Sequence, residues 1–415
     1  MSRSSSILVI GVGHPWVMGG GAQLRFLTVL RTLTNVGRVT YIGIGPDASP
    51  APAVPADLNL DRCVGINVAL GGQRKGWRRV SARLFEEFGV RSSPFGQRQV
   101  AQHLSDLLDV EDFDLAWLMT GGIYDLTRRG LRGHHALQVV DLMDWPGEWP
   151  GGERFQWKGL ARRETRSEAL RRLRLARRLR LRERHARHIA RRTDAVVACK
   201  APPTPPPNLA VVVNSYPARP FTGVRPVSWP PTLLFQGTFG HGPNADAARY
   251  LAHEIVPALR DELPEGFSIR LVGLHGEAIR DLEVAVPEVS VIGYVDDIFA
   301  ELERADLCVS PMRQGTGTRI KILEAWSCQV PAVSTTIGAD GLGATDGLQI
   351  LIADDPVAFA RSCRRALSDE RLRTRLVVEG HRLLTSRYQA DEVSTQVHAV
   401  LASVGGPWKP SAANP

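Results

Sequence analysis

The sequence predicts an α/β protein made of two Rossmann-like, doubly wound domains. A chain of 415 residues is too long to fold around one ordinary hydrophobic core. Its length fits two domains of roughly 200 residues each. Apolar runs that end in glycine alternate with helical patterns in both halves, which is typical of parallel sheets buried on both faces. A proline-rich stretch separates the halves. The expected parts are a first domain over 1–217, a linker over 218–230, a second domain over 231–385, and a last helix and tail over 386–415.

The composition indicates a globular protein, and its cysteines and net charge indicate the compartment and the kinds of ligand to expect. The amino terminus leads into a short apolar run and a glycine turn, so we expect a strand there and no signal peptide. The five cysteines are scattered, mostly within apolar runs, which predicts buried thiols in a reducing, cytoplasmic compartment and no zinc site. The net charge of +8 fits nucleic acid, an anionic membrane or small phosphorylated ligands.

The first half opens with the buried strand ILVIGVG over 7–13. Gly19, Gly20 and Gly21 then begin a helix that is expected to end near Gly37. Trp16 occupies the third glycine position of the dinucleotide fingerprint, which disfavours a nicotinamide or flavin site. Further strands are predicted over 39–45, 114–121, 137–143, 194–200 and 210–217, with a basic helical stretch from about 75 to 108.

Polar residues follow two of these strands. Asp141 and Asp144 lie where a strand ends, and open parallel sheets bind ligands outside the carboxyl ends of their strands. Either aspartate could instead cap a loop. His14, directly after the first strand, is either an acceptor-site group or a structural histidine.

Most of the excess positive charge lies between Arg162 and Arg192, with leucines spaced along one side of a predicted helix. Four interpretations remain open: a solvated helix, a basic helix on an anionic membrane, a nucleic-acid site, or a protein interface. Nucleic acid is disfavoured because the stretch has no aromatic side chains for base stacking.

The second half repeats the alternation of strands and helices. A strand over 232–239 precedes a helix that is expected to be capped by Asn244, with Pro243 before it. Strands follow over 267–273, 289–295 and 306–312, with a short helix over 296–305, and helices run from Asp355 to about Val404.

An anion site is predicted after the strand that ends near Ser310. Gly315 and Gly317 leave backbone N–H groups uncovered, and the next helix points its positive end at them. Three cations, Arg313, Arg319 and Lys321, share this turn, and Glu324 could accept from a vicinal diol. A diphosphate joined to a ribose would satisfy both sets of groups.

The segment GTRIKILEAWSCQVPAVSTTIGADGL, which begins at Gly317, resembles the donor-binding signature of retaining, nucleotide-sugar-dependent glycosyltransferases of the GT-B fold, especially glycosyltransferase family 4. The resemblance implies two domains facing across a cleft. In that family an earlier glutamate touches the donor sugar and a later one holds the ribose. Glu324 matches the later residue, while Thr316 stands at the position of the earlier one.

The resemblance also implies roles for other residues. Arg319 and Lys321 would neutralise the diphosphate, together with backbone N–H groups from Gly315 to Thr318. The last helix would cross back onto the first domain. Donor contacts would come from Gly237 and Thr238 at the phosphates and from Gly293, Tyr294 and Val295 at the base, with Gly19, Gly20, Gly21 and Arg25 lining the cleft.

The expected activity is transfer of a sugar from a nucleotide sugar to a glycan, lipid or small-molecule hydroxyl. We expect no metal, because no Asp-x-Asp stands in a loop suited to Mg²⁺, and no other cofactor. Two alternatives stay open: a nucleotide-sugar epimerase of the same fold, and a non-catalytic protein that binds anions or membranes.

Overall fold

The chain forms two compact units in a computed structural model. The structure describes residues 5–16, 21–45, 48–68, 94–145, 166–315, 319–406 and 408. The first unit contains the described residues up to 145, those from 166 to 215 and those from 390 onward; the second contains 216–389. The residues predicted as a linker are therefore part of the second unit.

The first unit is built on a seven-stranded, all-parallel sheet with the strand order β3-β2-β1-β4-β5-β6-β7. Its central strands are apolar along their whole length because both faces are covered, and β4 is buried at every position. The strands are β1 Ser6–Val12, β2 Arg38–Gly45, β3 Arg62–Asn67, β4 Leu115–Met119, β5 Leu137–Asp141, β6 Ala195–Ala198 and β7 Leu209–Val211.

The described residues of this unit form these helices in chain order, and the final helix of the chain joins them. They are α1 Gly21–Thr34, α2 Pro94–Leu108, α3 Gly121–Thr127 and α4 Arg166–Ala190. The final helix packs against α1. On this final helix Gln396 accepts a hydrogen bond of 2.9 Å from the backbone N–H of Val213.

The second unit repeats the plan with a six-stranded parallel sheet in the order β10-β9-β8-β11-β12-β13. Its strands are β8 Thr232–Gln236, β9 Ser268–Val272, β10 Val289–Gly293, β11 Leu307–Ser310, β12 Ala332–Ser334 and β13 Leu351–Ile352. Its α-helices are α5 Gly242–Tyr250, α6 Val256–Glu262, α7 Asp281–Ala285, α8 Ile298–Glu303, α9 Ile320–Ser327, α10 Thr336–Ala339, α11 Pro356–Ser368 and α12 Glu370–Arg387, and the final helix of the chain is α13 Ala390–Val404. A π-helical turn, Leu251–Ile255, joins α5 to α6.

The two sheets confirm the predicted class of two doubly wound, Rossmann-like units. The predicted cap of α5 is wrong: His241 is the N-cap residue, and Asn244 lies in the first turn. Strands β3 and β13 and helix α3 were not predicted, because β3 has a short mixed pattern and the other two are brief. Of the stretch predicted to be helical from 75 to 108, residues 75–93 lie outside the described part of the chain. None of the helices that the structure describes combines the length and the apolar character needed to cross a bilayer.

Candidate anion and ribose site

The candidate site lies where the strand order of the second sheet reverses. Strands β8 and β11 are neighbours there, while the helices that follow them connect to opposite sides of the sheet. At such a switch point the carboxyl ends of the strands open a crevice that binds ligands. Gln236 ends β8, and the segment after β11 leads into α9.

Two helix amino termini meet at this position. Helix α9 begins after Arg319 and helix α5 begins after His241, and no side chain caps either one. The Lys321 ammonium donates a hydrogen bond of 3.2 Å to the Asn244 amide oxygen, which joins the first turns of the two helices. Neither N-cap side chain bonds its helix terminus, and two helix dipoles that converge in this way favour an anion.

Lys321 is the cation at this junction. Its ammonium lies 3.7 Å from the Met312 sulfur and 5.3 Å from the centre of the Phe235 ring. Burial, together with the nearby Arg319 charge, lowers the pKa of Lys321 to about 8. Within the described ranges no carboxylate lies at ion-pair distance from this ammonium, so its charge remains available to an anionic ligand.

Arg319, by contrast, donates hydrogen bonds to backbone carbonyl oxygens. It is only 6% exposed, and its guanidinium donates to the carbonyl oxygens of Ile337 at 3.0 Å and Gly315 at 2.9 Å. Gly315 has a φ of 117°, which is a glycine conformation. Arg319 therefore fixes the loop that precedes α9.

Arg313 is neutralised by two acidic side chains. It forms ion pairs with Asp246 at 2.7 Å and Glu254 at 3.2 Å, and it stacks 4.4 Å from the Tyr250 ring. Of the three cations that the sequence places in this turn, Lys321 is thus the one whose contacts leave it suited to a phosphate.

Glu324 lies one turn after Lys321 and is half-buried. The Gln236 amide donates a hydrogen bond of 3.1 Å to its carboxylate, and the Tyr216 phenol interacts with it electrostatically. Burial raises the pKa of Glu324, while these contacts and the Lys321 charge oppose that shift. Sequence reasoning missed Gln236 and Tyr216, although a glutamine that ends an otherwise apolar strand was an available signal.

Backbone groups complete the surroundings of Lys321. Gly237 has no side chain, so the Asn244 amide packs against it; an added Cβ would lie 2.9 Å from the amide nitrogen. That nitrogen donates to the carbonyl of Thr238 at 3.0 Å. Burial lowers the pKa of His241, and Lys321 lowers it further.

The residues predicted to contact the nucleobase lie at the end of strand β10 and directly after it. Gly293 ends β10 with a φ of 81°, and its carbonyl accepts from Gly273 at 2.7 Å. Tyr294 is 64% exposed, and Val295 is half-buried. Thr316, Gly317 and Thr318 lie outside the described residues.

In the first unit Arg25 and Asp141 form a fully buried ion pair, with both side chains at 0% exposure. Two guanidinium nitrogens donate to the carboxylate at 3.0 and 2.9 Å. Arg25 also donates to the carbonyl of Val212 and, at 3.4 Å, to the Asn214 side chain. These contacts bind α1, β5 and the segment after β7 together. Gly21 begins α1, while Gly19 and Gly20 lie outside the described residues.

His14 and Asp144 have different surroundings. His14 is 2% exposed, with Nε2 at 2.9 Å from the Ala48 carbonyl and Nδ1 at 3.9 Å from the Cys63 sulfur. These are the contacts of a packed histidine. Asp144 is half-buried and accepts a hydrogen bond from the Cys199 thiol at 2.9 Å.

Within the described ranges, one group has the composition of a metal site: Asp112, His134 and His135, whose ligand atoms lie within 4.8 Å of one another. It lies just before β4 and β5, at the amino ends of these strands. The Ala136 N–H donates to His134 Nδ1 at 3.2 Å, so the other ring nitrogen carries the proton when the ring is neutral. That proton makes Nε2 a poor ligand in this arrangement.

Comparison with known proteins agrees with this geometry. Residues 230–369 match the family model of glycosyl transferases group 1. A 53-residue stretch is 42% identical to an uncharacterised 44.6 kDa protein of the cps region of Klebsiella pneumoniae, and the match spans 14% of that protein and 13% of this chain.

Solved structures resemble the whole chain. HepE of Anabaena, crystallised with UDP and glucose, is 14% identical with a TM-score of 0.59, over 96% of this chain and 100% of that one. Sucrose-phosphate synthase of Thermosynechococcus elongatus is 14% identical with a TM-score of 0.64, over 96% and 99%. The lipopolysaccharide outer core galactosyltransferase WaaB is 13% identical with a TM-score of 0.57, over 96% and 99%.

The fold is therefore that of GT-B proteins. Together with the family match over the second unit, it supports a glycosyltransferase and favours this class over the epimerase and the non-catalytic alternatives.

Proposed function

We propose that the protein transfers a hexosyl group from a nucleoside-diphosphate sugar to an acceptor hydroxyl. One observation carries this proposal: two uncapped helix amino termini converge on Lys321, whose ammonium has no ion-pair partner in the part of the chain that the structure describes. That combination of dipoles and charge suits a diphosphate. The comparison structure with UDP and glucose supports a nucleotide-sugar donor.

The reaction breaks the bond between the anomeric carbon and the diphosphate oxygen, and negative charge grows on the leaving group. The chief catalytic contribution is then positive potential that is already in place at that oxygen. Lys321 and the first turns of α9 and α5 supply it from the chain itself. We accordingly propose a metal-independent reaction in which Arg319 shapes the loop and Lys321 contacts the phosphate.

Glu324 would accept hydrogen bonds from the ribose hydroxyls as a carboxylate. Retention of the anomeric configuration, which the family resemblance implies, would place acceptor attack on the face that the diphosphate leaves. The departing phosphate could then take the acceptor proton. Asp144, which is half-buried, would orient an acceptor hydroxyl.

The acceptor is proposed to be a glycan, a lipid-linked sugar or a small molecule at the cytoplasmic face of a membrane. The described part of α4 supports a membrane-facing role: Arg177, Arg180 and Arg184 are exposed at helical spacing, and Leu181 beside them is 46% exposed. A basic face with an apolar residue suits anionic lipid.

A ligand and turnover screen tests the proposal. Thermal unfolding is measured with UDP, ADP, GDP and CDP, because a ligand at a hundred times its dissociation constant stabilises by about 2.7 kcal/mol. Release of the diphosphate is then followed with the matching nucleotide sugars, with and without a pool of acceptors. Acceptor-dependent release supports the transferase. Conversion of the sugar without any acceptor would establish the epimerase instead, and no binding at all would refute both.

A further inference from the structure

Glu324 is held by two side chains that come from distant parts of the second unit. Gln236 lies at the end of β8 and is 4% exposed; Tyr216 begins the segment Tyr216–Gln389 of the unit and is 5% exposed. The Gln236 amide donates to the Glu324 carboxylate at 3.1 Å, and the Tyr216 phenol interacts with the same carboxylate electrostatically. We infer that Gln236 and Tyr216 are positioning residues that aim the ionised Glu324 carboxylate at the ribose diol of the donor. This inference rests on the proposed function.

The orientation of the Gln236 amide is fixed by its neighbours. Its nitrogen donates to the Lys321 carbonyl at 2.9 Å and to the Glu324 carboxylate at 3.1 Å, which uses both of its hydrogens. Its oxygen faces the Cys308 thiol at 3.7 Å. A flipped amide would set its oxygen against a carbonyl and a carboxylate, so only one orientation is favourable. Gln236 therefore ties the backbone and the acidic side chain of α9 to the sheet.

The Tyr216 hydroxyl is fixed through its backbone. The Tyr216 N–H donates to the Tyr388 carbonyl at 2.7 Å, and the Tyr216 carbonyl accepts from the Gln389 amide at 3.0 Å. Both backbone groups of Tyr216 are therefore held beside Glu324. The hydrogen bond from Gln236 leaves other lone pairs of the carboxylate for a ligand that donates, and a vicinal diol is such a ligand.

The same contacts keep Glu324 ionised. Among the described residues, the titratable groups around it are Lys321 on its own helix, Tyr216 in the segment before β8 and Cys308 on β11. Burial raises the pKa of Glu324, so loss of either contact should raise it further. Because the ionised form accepts from the diol, affinity should fall when the pH drops through this pKa, and the fall should begin at a higher pH in the variants.

The test compares UDP with 2′,3′-dideoxy-UDP by calorimetry, using wild type, Tyr216→Phe and Gln236→Leu. Wild type should bind UDP about ten times more tightly than the dideoxy analogue, and each variant should reduce that ratio by about 3- to 10-fold. A purely structural role would weaken both ligands equally. The matched controls are Tyr388→Phe and Gln329→Leu, which remove a hydroxyl bonded to the Leu342 carbonyl and an amide bonded to the Pro220 carbonyl.

Wild type alone gives a second measurement that needs no folded variant: the ratio of the two affinities should fall toward one as the pH is lowered from 7. A ratio that is unchanged in both variants and at low pH, with UDP still bound, would overturn the inference and leave the proposed function intact. Failure of wild type to bind UDP, ADP, GDP or CDP would overturn both.

Discussion

At the scale of single residues, the site depends on which charges are already neutralised. Arg313 is paired with Asp246 and Glu254, and Arg319 is held by backbone carbonyls. Lys321 contacts only a neutral amide, a thioether and an aromatic ring among its described partners. An ammonium held in this way carries a desolvation cost that a bound anion offsets. The diphosphate contact is therefore expected to depend on Lys321 most.

Replacing Lys321 by alanine should weaken UDP binding by about 10- to 150-fold, because a charge-assisted hydrogen bond contributes about 1.5–3 kcal/mol. Calorimetric titration at pH 7 measures this. Arg371→Ala is the matched control, since Arg371 is an exposed cation on α12 of the same unit. Equal effects of the two substitutions would show that only the net charge matters.

The pH dependence of UDP affinity should reflect the titration of Lys321. The pKa of the free protein's Lys321 is lowered to about 8, so the ammonium is present below that pH and is lost above it. Affinity should decline as the pH rises from 7 to 9. Lys321→Arg should remove this decline, because a guanidinium stays charged over the whole range. A decline that persists in Lys321→Arg would assign it to another group.

At the scale of elements, the second unit brings two helix starts together, and the first unit joins α1 to β5 through the buried Arg25–Asp141 pair. Removing one partner of such a pair destabilises the protein, because a buried charge is then left uncompensated. This pair was predicted from the sequence as two separate ligand-facing groups. Its burial points instead to a role in holding the carboxyl end of β5.

Asp141→Asn should lower the free energy of unfolding by about 3–5 kcal/mol, as expected for one half of a buried ion pair. Urea denaturation measures the loss, and hydrogen exchange should show it at the amides of β5 and α1. The double variant Arg25→Met/Asp141→Leu should regain much of the stability. Asp281→Asn, which breaks an exposed pair with Arg249, is the control and should change little. Retained stability with lost turnover would contradict the structural role.

At the scale of the whole molecule, positive charge is concentrated on one helix. Helix α4 is 25 residues long and carries most of the excess arginine. Its described carboxyl half packs Ala186 and Ile189 in the core while arginines remain exposed. The described part of the helix thus packs on the core through Ala186 and Ile189 and presents exposed arginines.

The triple variant Arg177→Gln/Arg180→Gln/Arg184→Gln should bind anionic vesicles several-fold more weakly, since each basic residue near such a surface contributes about 1 kcal/mol. Co-sedimentation with phosphatidylglycerol vesicles measures the change, and added salt should weaken wild-type binding in the same way. The control is a triple Arg→Gln variant that removes the same charge from the second unit, at the exposed residues Arg361, Arg371 and Arg382. Equal losses in both triple variants would contradict a specific role of α4.

The sequence by itself determined the two doubly wound sheets and the loop and helix start after β11, because apolar strands, glycine turns and helix starts are local signals. It also placed Lys321 and Glu324 on the helix that follows. Only the tertiary structure decided that Arg319 and Arg313 are engaged elsewhere, that Asn244 meets Lys321, and that Gln236 and Tyr216 hold Glu324. The reason is physical: the partner of a charge is set by distance in space, and these partners come from other strands and helices.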